Sequence, residues 1–242
     1  MSGEILRLVN VTTERGNRIM KTVAFVPIKM NNERLPGKNT KCFSDGTPLV
    51  RVITEKLAAL KGDCIDEVYC YCSNPAIKEY LPDGVEFLER PTFLDDKFCK
   101  GRAIYEEFVK TVEADVYILC HATAPFTSVE HIKECIEAVQ QGKASSAFAG
   151  QKHQTFFWKD GKPFNFDLSN PPRTQDMEAY YTENPSPYVF TKECFAETHA
   201  RCGLNPYIVE CDAAECVDID NADDFELADA VYSFLKAKGK LK

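Results

Sequence analysis

The sequence contains no long apolar run and no excess of positive charge. No stretch approaches the roughly 20 apolar residues of a membrane-spanning helix, and the N-terminus lacks the charged, apolar and small-residue order of a signal peptide. With 29 Lys and Arg against 37 Asp and Glu, the net charge is −8, which argues against nucleic acid or an anionic membrane as a partner. These absences predict a cytoplasmic protein.

The cysteines lack the spacing that zinc sites usually have. No C-x-x-C occurs among the 11 cysteines, and Cys70 and Cys72 are separated by Tyr71 alone. An odd number of cysteines in a chain of 242 residues also argues against a small fold held together by disulfides. We therefore expect mostly reduced thiols, buried or half-buried, and no metal bound by cysteine.

Strand-like and helical segments alternate along the chain. The hydrophobic content of 44% is enough for a sizeable core, and the apolar run at 23–26 is typical of a strand buried on both faces. The predicted strands lie at 23–26, 68–72, 85–88, 116–120 and 146–149, and the predicted helices at 48–60, 76–80, 103–112 and 129–140. This alternation predicts an α/β fold, with a mainly parallel, doubly wound (Rossmann-like) sheet. We expect one domain at 21–242. It follows an N-terminal arm at 1–20 that is either an edge strand or disordered.

A polar loop with three cations follows the first predicted strand. Pro27 limits how far the strand continues, and beyond it Lys29, Arg34 and Lys38 are spaced over ten residues. Cations in an irregular loop can surround a polyphosphate. The alternative is an exposed basic loop whose cations meet only water.

Two aspartates precede the last predicted helix. In a strand, residues two apart face the same way, so Asp218 and Asp220 lie on one face while Val217 and Ile219 lie on the other. Such a pair can hold Mg²⁺, which keeps several waters and takes further ligands from substrate phosphates. The alternative is that Asp220 or Asn221 only caps the helix, but capping accounts for one acid and not for both.

The basic loop resembles the first motif of a known family. Residues 22–39 read TVAFVPIKMNNERLPGKN, and the acylneuraminate and 3-deoxy-manno-octulosonate cytidylyltransferases have an apolar strand followed by P-A-R-x-x-S-K-R-[LI]-P-x-K-N. The matching residues are Pro27, Arg34, Leu35, Pro36, Lys38 and Asn39. Lys29 replaces the family's arginine, and Glu33 replaces a lysine where a carboxylate would repel a triphosphate.

Further segments follow in the family's order. Residues 117–132, YILCHATAPFTSVEHI, resemble the L-Q-P-T-S-P-L-R segment, with Thr123 matching and His121 in the glutamine's place. Residues 173–176 resemble R-x-Q-D, which implies that Arg173 contacts the acceptor's carboxylate with Gln175 beside it. A structural histidine and a surface salt bridge are the alternatives for His121 and Arg173.

Two more segments complete the resemblance. Arg90 stands where the family has an arginine near the nucleotide, ahead of a loop whose Lys97, Lys100 and Arg102 reach either phosphates or only water. The sequence D-I-D before the last helix is the family's metal-placing segment, here at 218–220.

The resemblance implies a fold of the nucleotide-diphospho-sugar transferase type, and transfer of CMP from CTP to an acidic sugar with release of pyrophosphate. The implied catalytic residues are Lys38, Arg34, Asp218 and Asp220, the last two binding Mg²⁺. The implied nucleotide-binding residues are Lys29, Asn31, Arg34, Lys38, Asn39 and Arg90. The implied acceptor-binding residues are His121, Thr123, Arg173 and Gln175. No side chain stands out as a general base, which fits deprotonation assisted by the metal.

Two alternatives to this function remain open. The altered segment at 121–127 permits another acid, such as a phosphonate, or another nucleotide. The substitution at Glu33 permits a degenerate domain that binds nucleotide or sugar without catalysis.

The region from 150 to 187 interrupts the alternation. It is rich in proline and aromatic residues, which suggests a lid or an association surface outside the sheet, and in the resembled family this region supplies dimer contacts. We expect a homodimer anchored by Trp158, Phe156 and Phe157. The alternative is a loop packed on its own domain.

Overall fold

A seven-stranded sheet forms the centre of the computed structural model, which describes residues 20–241. The strands are β1 (Thr22–Ile28), β2 (Glu67–Cys72), β3 (Glu86–Glu89), β4 (Val116–Leu119), β5 (Ser146–His153), β6 (Trp158–Lys159), β7 (Lys162–Pro163), β8 (Tyr180–Thr191) and β9 (Tyr207–Glu210). The α-helices are α1 (Leu49–Ala59), α2 (Gly101–Thr111), α3 (Val129–Gln140), α4 (Lys192–Thr198) and α5 (Ala222–Ala237). Short 3₁₀ turns occur at Lys38–Thr40, Pro75–Tyr80, Thr92–Asp95 and Thr174–Asp176.

The sheet is mainly parallel, as the alternation predicts. Its strand order is β3-β2-β1-β4-β8-β5-β9, and β6 and β7 pair separately as a small hairpin. Strand β8 runs antiparallel to both of its neighbours, and the other pairs are parallel. The chain leaves β1 toward β2 on one side and later returns to place β4 on the other. The carboxyl ends of β1 and β4 therefore flank a topological switch point, where open α/β sheets bind ligands.

Both faces of the sheet are covered. In β1, Val23 and Phe25 face one apolar cluster while Ala24 and Val26 face another, and all four side chains are fully buried. The ring of Phe25 stacks on Phe108 of α2 with 3.9 Å between ring centroids. Because a strand alternates its side chains, a continuous apolar run supplies two cores at once.

The segment that leaves the sheet, here called the excursion, is shorter than the predicted 150–187. Strand β5 continues to His153 and β8 begins at Tyr180, with Gly150 paired with Glu183 and His153 with Tyr180 after a register shift. The ladder hydrogen bonds therefore keep both ends of the predicted excursion in the sheet, and only 154–179 lies outside it.

The predicted strand at Val217–Asp220 is wrong, because this segment joins no ladder. The amide of Ile219 donates to the carbonyl of Thr123 at 2.8 Å, and the amide of Asp220 donates to the Asp224 carboxylate at 2.8 Å. The apolar and acidic side chains still point in different directions. Ile219 is fully buried and Val217 packs against the same apolar cluster, whereas Asp218 is exposed.

Two further observations concern the N-terminal arm and membrane-spanning helices. The predicted arm at 1–20 lies outside the described residues except for Met20. Within residues 20–241, no helix is both long enough and apolar enough to cross a bilayer.

Candidate active site

Two adjoining cavities open at the carboxyl ends of β1 and β4. The first, of about 360 Å³, is lined by Lys29, Asn31, Asn32, Glu33, Arg34, Leu35, Lys38, Lys97 and Asp220. The second, of about 250 Å³, is lined by Pro27, Lys29, Arg90, Leu94, Asp96, Lys97, Cys99, Gly101, Ile104, Tyr105 and His121. They share Lys29 and Lys97, so they form two halves of one site.

The loop after β1 is held in a closed shape by its own contacts. The Asn39 side-chain amide donates to the Lys29 carbonyl at 2.8 Å, which ties the end of the loop to its start. Gly37 has a φ of +68°, a conformation that suits glycine, and Leu35 is buried against the core beneath α5. The predicted nucleotide-binding Asn39 is thus seen positioning the loop.

The basic loop and one of the paired aspartates, Asp220, meet in space. Arg34 donates two hydrogen bonds to the two carboxylate oxygens of Asp220, each at 2.9 Å, although the residues are 186 positions apart in the sequence. The Lys38 ammonium lies 3.6 Å from Asp220 and donates to the Ile219 carbonyl at 2.8 Å. Because Lys38 is only 8% exposed, its charge is directed into the first cavity with little screening by solvent.

The second aspartate of the pair is free. Among residues 20–241, the Asp218 carboxylate has neither a hydrogen-bond nor an ion-pair partner, and the side chain is exposed. The Asp220 carboxylate lies beside the cations that suit phosphate, and the Asp218 carboxylate, which lines neither cavity, lies two residues earlier in solvent. This donor set fits Mg²⁺, which prefers carboxylate, water and phosphate oxygens.

Comparison with known proteins places this chain in an enzyme family. A family model described as cytidylyltransferase matches residues 23–232, which is most of the chain. The chain belongs to the cytidylyltransferase family. The predicted membership of this family is thereby confirmed.

Individual relatives support the same assignment. The chain is 24% identical to the CMP-N,N'-diacetyllegionaminic acid synthase of Legionella pneumophila over 225 residues, covering 87% of this chain and 95% of that protein. It is also 24% identical to the N-acylneuraminate cytidylyltransferase B of Danio rerio, covering 85% of this chain and half of that longer protein. A solved structure of CMP:2-keto-3-deoxy-manno-octonic acid synthetase in complex with CTP has the same fold, with a TM-score of 0.64 and 16% identity over 88% of this chain and 98% of that one.

Arg90 of this cytidylyltransferase lies deep in the second cavity. Its guanidinium is 2% exposed and forms an ion pair with Asp95, while its Nε is buried without a hydrogen-bond partner. Asp95 also accepts a hydrogen bond from Ser73. The structure therefore places Arg90 at the cavity wall, where its contacts hold the turn that carries Lys97.

His121 lies at the end of β4, beside Tyr105 in the same cavity. Its Nδ1 donates to the Pro185 carbonyl at 2.8 Å, so the proton of the neutral ring is on Nδ1 and Nε2 can accept a hydrogen bond. Burial lowers the pKa of His121, and the nearby cations of Arg201 and Lys38 lower it further, while the Pro185 carbonyl and Asp218 oppose the shift. His121 is thus a neutral hydrogen-bond acceptor near pH 7.

We expect the ring of His121 to titrate below the ordinary histidine pKa of 6.5. Between the lowered pKa and 6.5 the unfolded chain then binds more protons than the folded chain, so the free energy of unfolding rises with pH in that window and falls on acidification. The ring signals of the four histidines in NMR, with His121→Gln for assignment, measure this titration. The matched variant His153→Gln removes a half-buried histidine that lines neither cavity, and it should leave the His121 signals in place. A His121 pKa at or above 6.5 would contradict the prediction.

The remaining predicted acceptor residues do not lie together: Thr123 lies beside the site, and Arg173 and Gln175 lie away from it. Thr123 follows His121, and its carbonyl accepts from Ile219, so it holds the aspartate segment against the end of β4. Arg173 is exposed and pairs with Asp176 at 2.8 Å, and neither Arg173 nor Gln175 lines the two cavities. Within one chain, Arg173 therefore makes the surface salt bridge that was the alternative to acceptor binding.

Tyr105 is a site residue that the sequence did not single out, whereas Lys97 was left open between contact with phosphates and contact with water. Lys97 borders both cavities. Arg102 of the same loop instead pairs with Glu106 at 2.8 Å on the surface of α2. Tyr105 gave no signal, because an aromatic residue on a helix looks like any other core residue.

Proposed function

We propose that this cytidylyltransferase transfers CMP from CTP to an acidic sugar of the nonulosonate or octulosonate kind and releases pyrophosphate. The observation that carries the proposal is the contact of Arg34 and Lys38 with Asp220 at the switch point of the sheet. A cationic loop beside paired carboxylates is what a metal-assisted reaction of a nucleoside triphosphate requires. The acidic sugars named for the related proteins support the class of acceptor.

The first cavity is proposed to bind the triphosphate. Lys29, Arg34, Lys38 and Lys97 supply four cations there, against the carboxylates of Glu33 and Asp220. When the phosphates enter, Arg34 transfers its hydrogen bonds from Asp220 to phosphate oxygens, since planar guanidinium groups bind both kinds of oxygen in the same way. This exchange frees the Asp220 carboxylate next to Asp218. Asn31 and Arg90 complete the proposed nucleotide site.

Asp218 and Asp220 are proposed to hold Mg²⁺. When bound, this ion neutralises phosphate charge and lowers the pKa of a coordinated hydroxyl. Lys38, fixed by the Ile219 carbonyl, holds the β- and γ-phosphates in place, so that the acceptor hydroxyl approaches the α-phosphorus in line with the departing pyrophosphate.

The acceptor is proposed to lie by the second cavity. The Nε2 of His121 accepts a hydrogen bond from an acceptor hydroxyl, and Thr123 keeps that side of the site in contact with the aspartate segment. Arg173 and Gln175 lie on the 154–179 excursion, and we propose that they reach the acceptor carboxylate of a second subunit.

Incubation of the protein with CTP, Mg²⁺ and a panel of acidic sugars tests the function. We expect pyrophosphate and a CMP-sugar to form with at least one nonulosonate or octulosonate. Turnover only with a phosphonate would favour the other-acceptor alternative. Binding of CTP or sugar without pyrophosphate release from any acid would favour the non-catalytic alternative that Glu33 suggests.

All 11 cysteines are free, which supports the proposed cytoplasmic location.

We propose a homodimer that buries the excursion. Trp158, Phe164 and Leu168 are 56%, 54% and 63% exposed, whereas the predicted anchor Phe157 is half-buried against Tyr180 of its own chain. The predicted anchor Phe156 is 37% exposed and packs on Phe166. The exposed aromatic area is the kind of surface that subunit interfaces bury.

We expect Trp158→Ser combined with Phe164→Ser to convert the dimer into monomers and to impair use of the acceptor more than binding of CTP. Sedimentation at micromolar concentration measures the assembly. Phe234→Ser is the matched control, because Phe234 on α5 is also 56% exposed and should leave the dimer intact. A wild-type chain that sediments as a monomer would contradict the proposal.

A further inference from the structure

A second group of metal-ligand side chains lies away from the two cavities, where α3 begins beside the segment that follows β9. The Nδ1 atom of His131 lies 3.0 Å from each carboxylate oxygen of Glu215 and 3.5 Å from the Sγ atom of Cys211. One ligand atom from each of these three residues lies within 4.8 Å of the others. The sulfur of Cys216 lies close enough to interact with the thiol of Cys211. Three donors thus converge on one point, and the Cys216 sulfur lies beside one of them, the Cys211 sulfur.

Two measured distances are close to the edges of a zinc tetrahedron. Bonds of about 2.0–2.3 Å to nitrogen, oxygen and sulfur place the ligand atoms of a tetrahedral site roughly 3.3–3.8 Å apart. The His131–Cys211 distance of 3.5 Å lies in this range, and the His131–Glu215 distance of 3.0 Å needs to lengthen by only a few tenths of an ångström. Two sulfurs, an imidazole and a carboxylate suit Zn²⁺, whereas Mg²⁺ prefers oxygen ligands alone.

The surroundings orient the ligands. One Glu215 oxygen accepts from the Ser128 amide at 2.6 Å and the other from the Asp212 amide at 3.1 Å, so the carboxylate is held by backbone donors. The His131 ring is carried on the first turn of α3, whose start is capped by Ser128. These contacts fix the position of the Glu215 carboxylate and the start of the helix that carries His131.

Lys56 supplies the charge that such a site lacks. Its ammonium is 3% exposed, and its described hydrogen bond goes to the Thr127 carbonyl at 2.7 Å. Burial lowers the pKa of Lys56 to about 8, although the nearby Glu215 and Glu130 carboxylates favour the charged form. Two thiolates and the Glu215 carboxylate carry three negative charges, which Zn²⁺ and Lys56 together balance.

We propose that His131, Cys211 and Glu215 bind one Zn²⁺ ion and that the adjacent Cys216 thiol turns in as the fourth ligand of a closed structural site. On binding, both thiol protons pass to solvent, and the imidazole carries its single proton on Nε2. The bound ion joins α3 to the segment that leads to Asp218 and Asp220. The Glu215 carbonyl is already held there by the Asn184 amide at 3.1 Å. The site therefore anchors the strand-free segment that carries the catalytic carboxylates.

Cobalt and zinc titrations of the untagged full-length chain test this site. The protein is stripped with a chelator under reducing conditions and titrated with Co²⁺, then with Zn²⁺ in competition. We expect one ion per chain, with a thiolate-to-cobalt charge-transfer band and visible bands of tetrahedral cobalt. Zn²⁺ should displace Co²⁺ and raise the melting temperature of the chain.

Variants identify the ligands. Cys216→Ser and His131→Gln should each weaken zinc binding at least about 100-fold, since loss of outer-shell partners alone costs about 10–100-fold. Cys64→Ser, at another half-buried thiol, should bind as the wild type does. The double variant Asp218→Asn, Asp220→Asn should keep the charge-transfer band, which separates this site from the carboxylates of the active site.

Three results would overturn the proposal. They are a reduced wild-type chain that gives no thiolate-to-cobalt band, a band that persists in Cys216→Ser with unchanged affinity, and peptide masses showing Cys211 joined to Cys216 as a disulfide in freshly prepared protein. The wild-type measurement decides the matter even where a ligand variant fails to fold.

Discussion

Replacing Asp218 or Asp220 with Asn is expected to reduce the turnover of CTP at least about 100-fold, because loss of one group that stabilises transition-state charge commonly costs about 10²–10³ in rate. Asp218 is exposed and has no hydrogen-bond or ion-pair partner among residues 20–241, so Asp218→Asn should leave the melting temperature unchanged. Steady-state pyrophosphate release at saturating CTP, measured across a range of Mg²⁺ concentrations, gives the effect.

The two aspartate variants should differ in one respect. Asp220→Asn also breaks the paired hydrogen bonds to Arg34, so it releases that guanidinium for phosphate and should bind CTP without metal at least as well as the wild type does. Asp223→Asn is the matched control, because this exposed residue of α5 loses the same charge outside the cavities. Near-normal rates for both Asp218→Asn and Asp220→Asn at low Mg²⁺ would exclude the metal assignment.

Neutralising Lys38 or Arg34 is expected to weaken CTP binding far more than cytidine binding. A charge-assisted hydrogen bond contributes about 1.5–3 kcal/mol, which corresponds to roughly a 10- to 150-fold change in the dissociation constant. Lys38→Met and Arg34→Gln, measured by calorimetry with both ligands, separate the phosphate contacts from contacts with the nucleoside.

The two positions differ in their effect on folding. Lys38→Met leaves the Ile219 carbonyl without its donor, so we expect a loss of about 1–3 kcal/mol in the free energy of unfolding. Arg34 is exposed, and Arg34→Gln should fold as the wild type does. Lys41→Met is the control within the same loop, because the Lys41 ammonium lies over the Phe225 ring and not in the cavity. Equal losses for CTP and cytidine in Arg34→Gln would remove the phosphate assignment.

Segments that depend on local contacts were predictable. The apolar run of β1 predicts a strand buried on both faces, and the side chains of Val23, Ala24, Phe25 and Val26 are fully buried. The caps were also predictable, since Ser128 accepts from the His131 amide and Asn221 forms a capping box with Asp224. A cap needs only a short polar side chain next to an unpaired amide, and both are adjacent in the sequence.

Segments that depend on a distant partner were less predictable. The alternation at Val217–Asp220 looks like a strand, but a strand also needs a neighbour with free backbone groups. Its amides instead bond to the Thr123 carbonyl and the Asp224 side chain. The ends of the excursion were misjudged for the converse reason. Proline and aromatic residues at 180–187 suggested a segment outside the sheet, whereas the pairing of residues 180–183 with β5 makes it the first part of β8.

The sequence by itself determined the alternation of strands and helices as far as β5, the family, and the identity of the cationic loop and the paired aspartates. Only the tertiary structure decided which of these groups meet. It paired Arg34 with Asp220, placed His121 by the second cavity, and gathered His131 with Cys211 and Glu215. The physical reason is that periodicity and capping record burial and hydrogen bonding within a few residues. Contacts across the molecule follow instead from the strand order and the crossovers that bring the ends of separate strands to one edge.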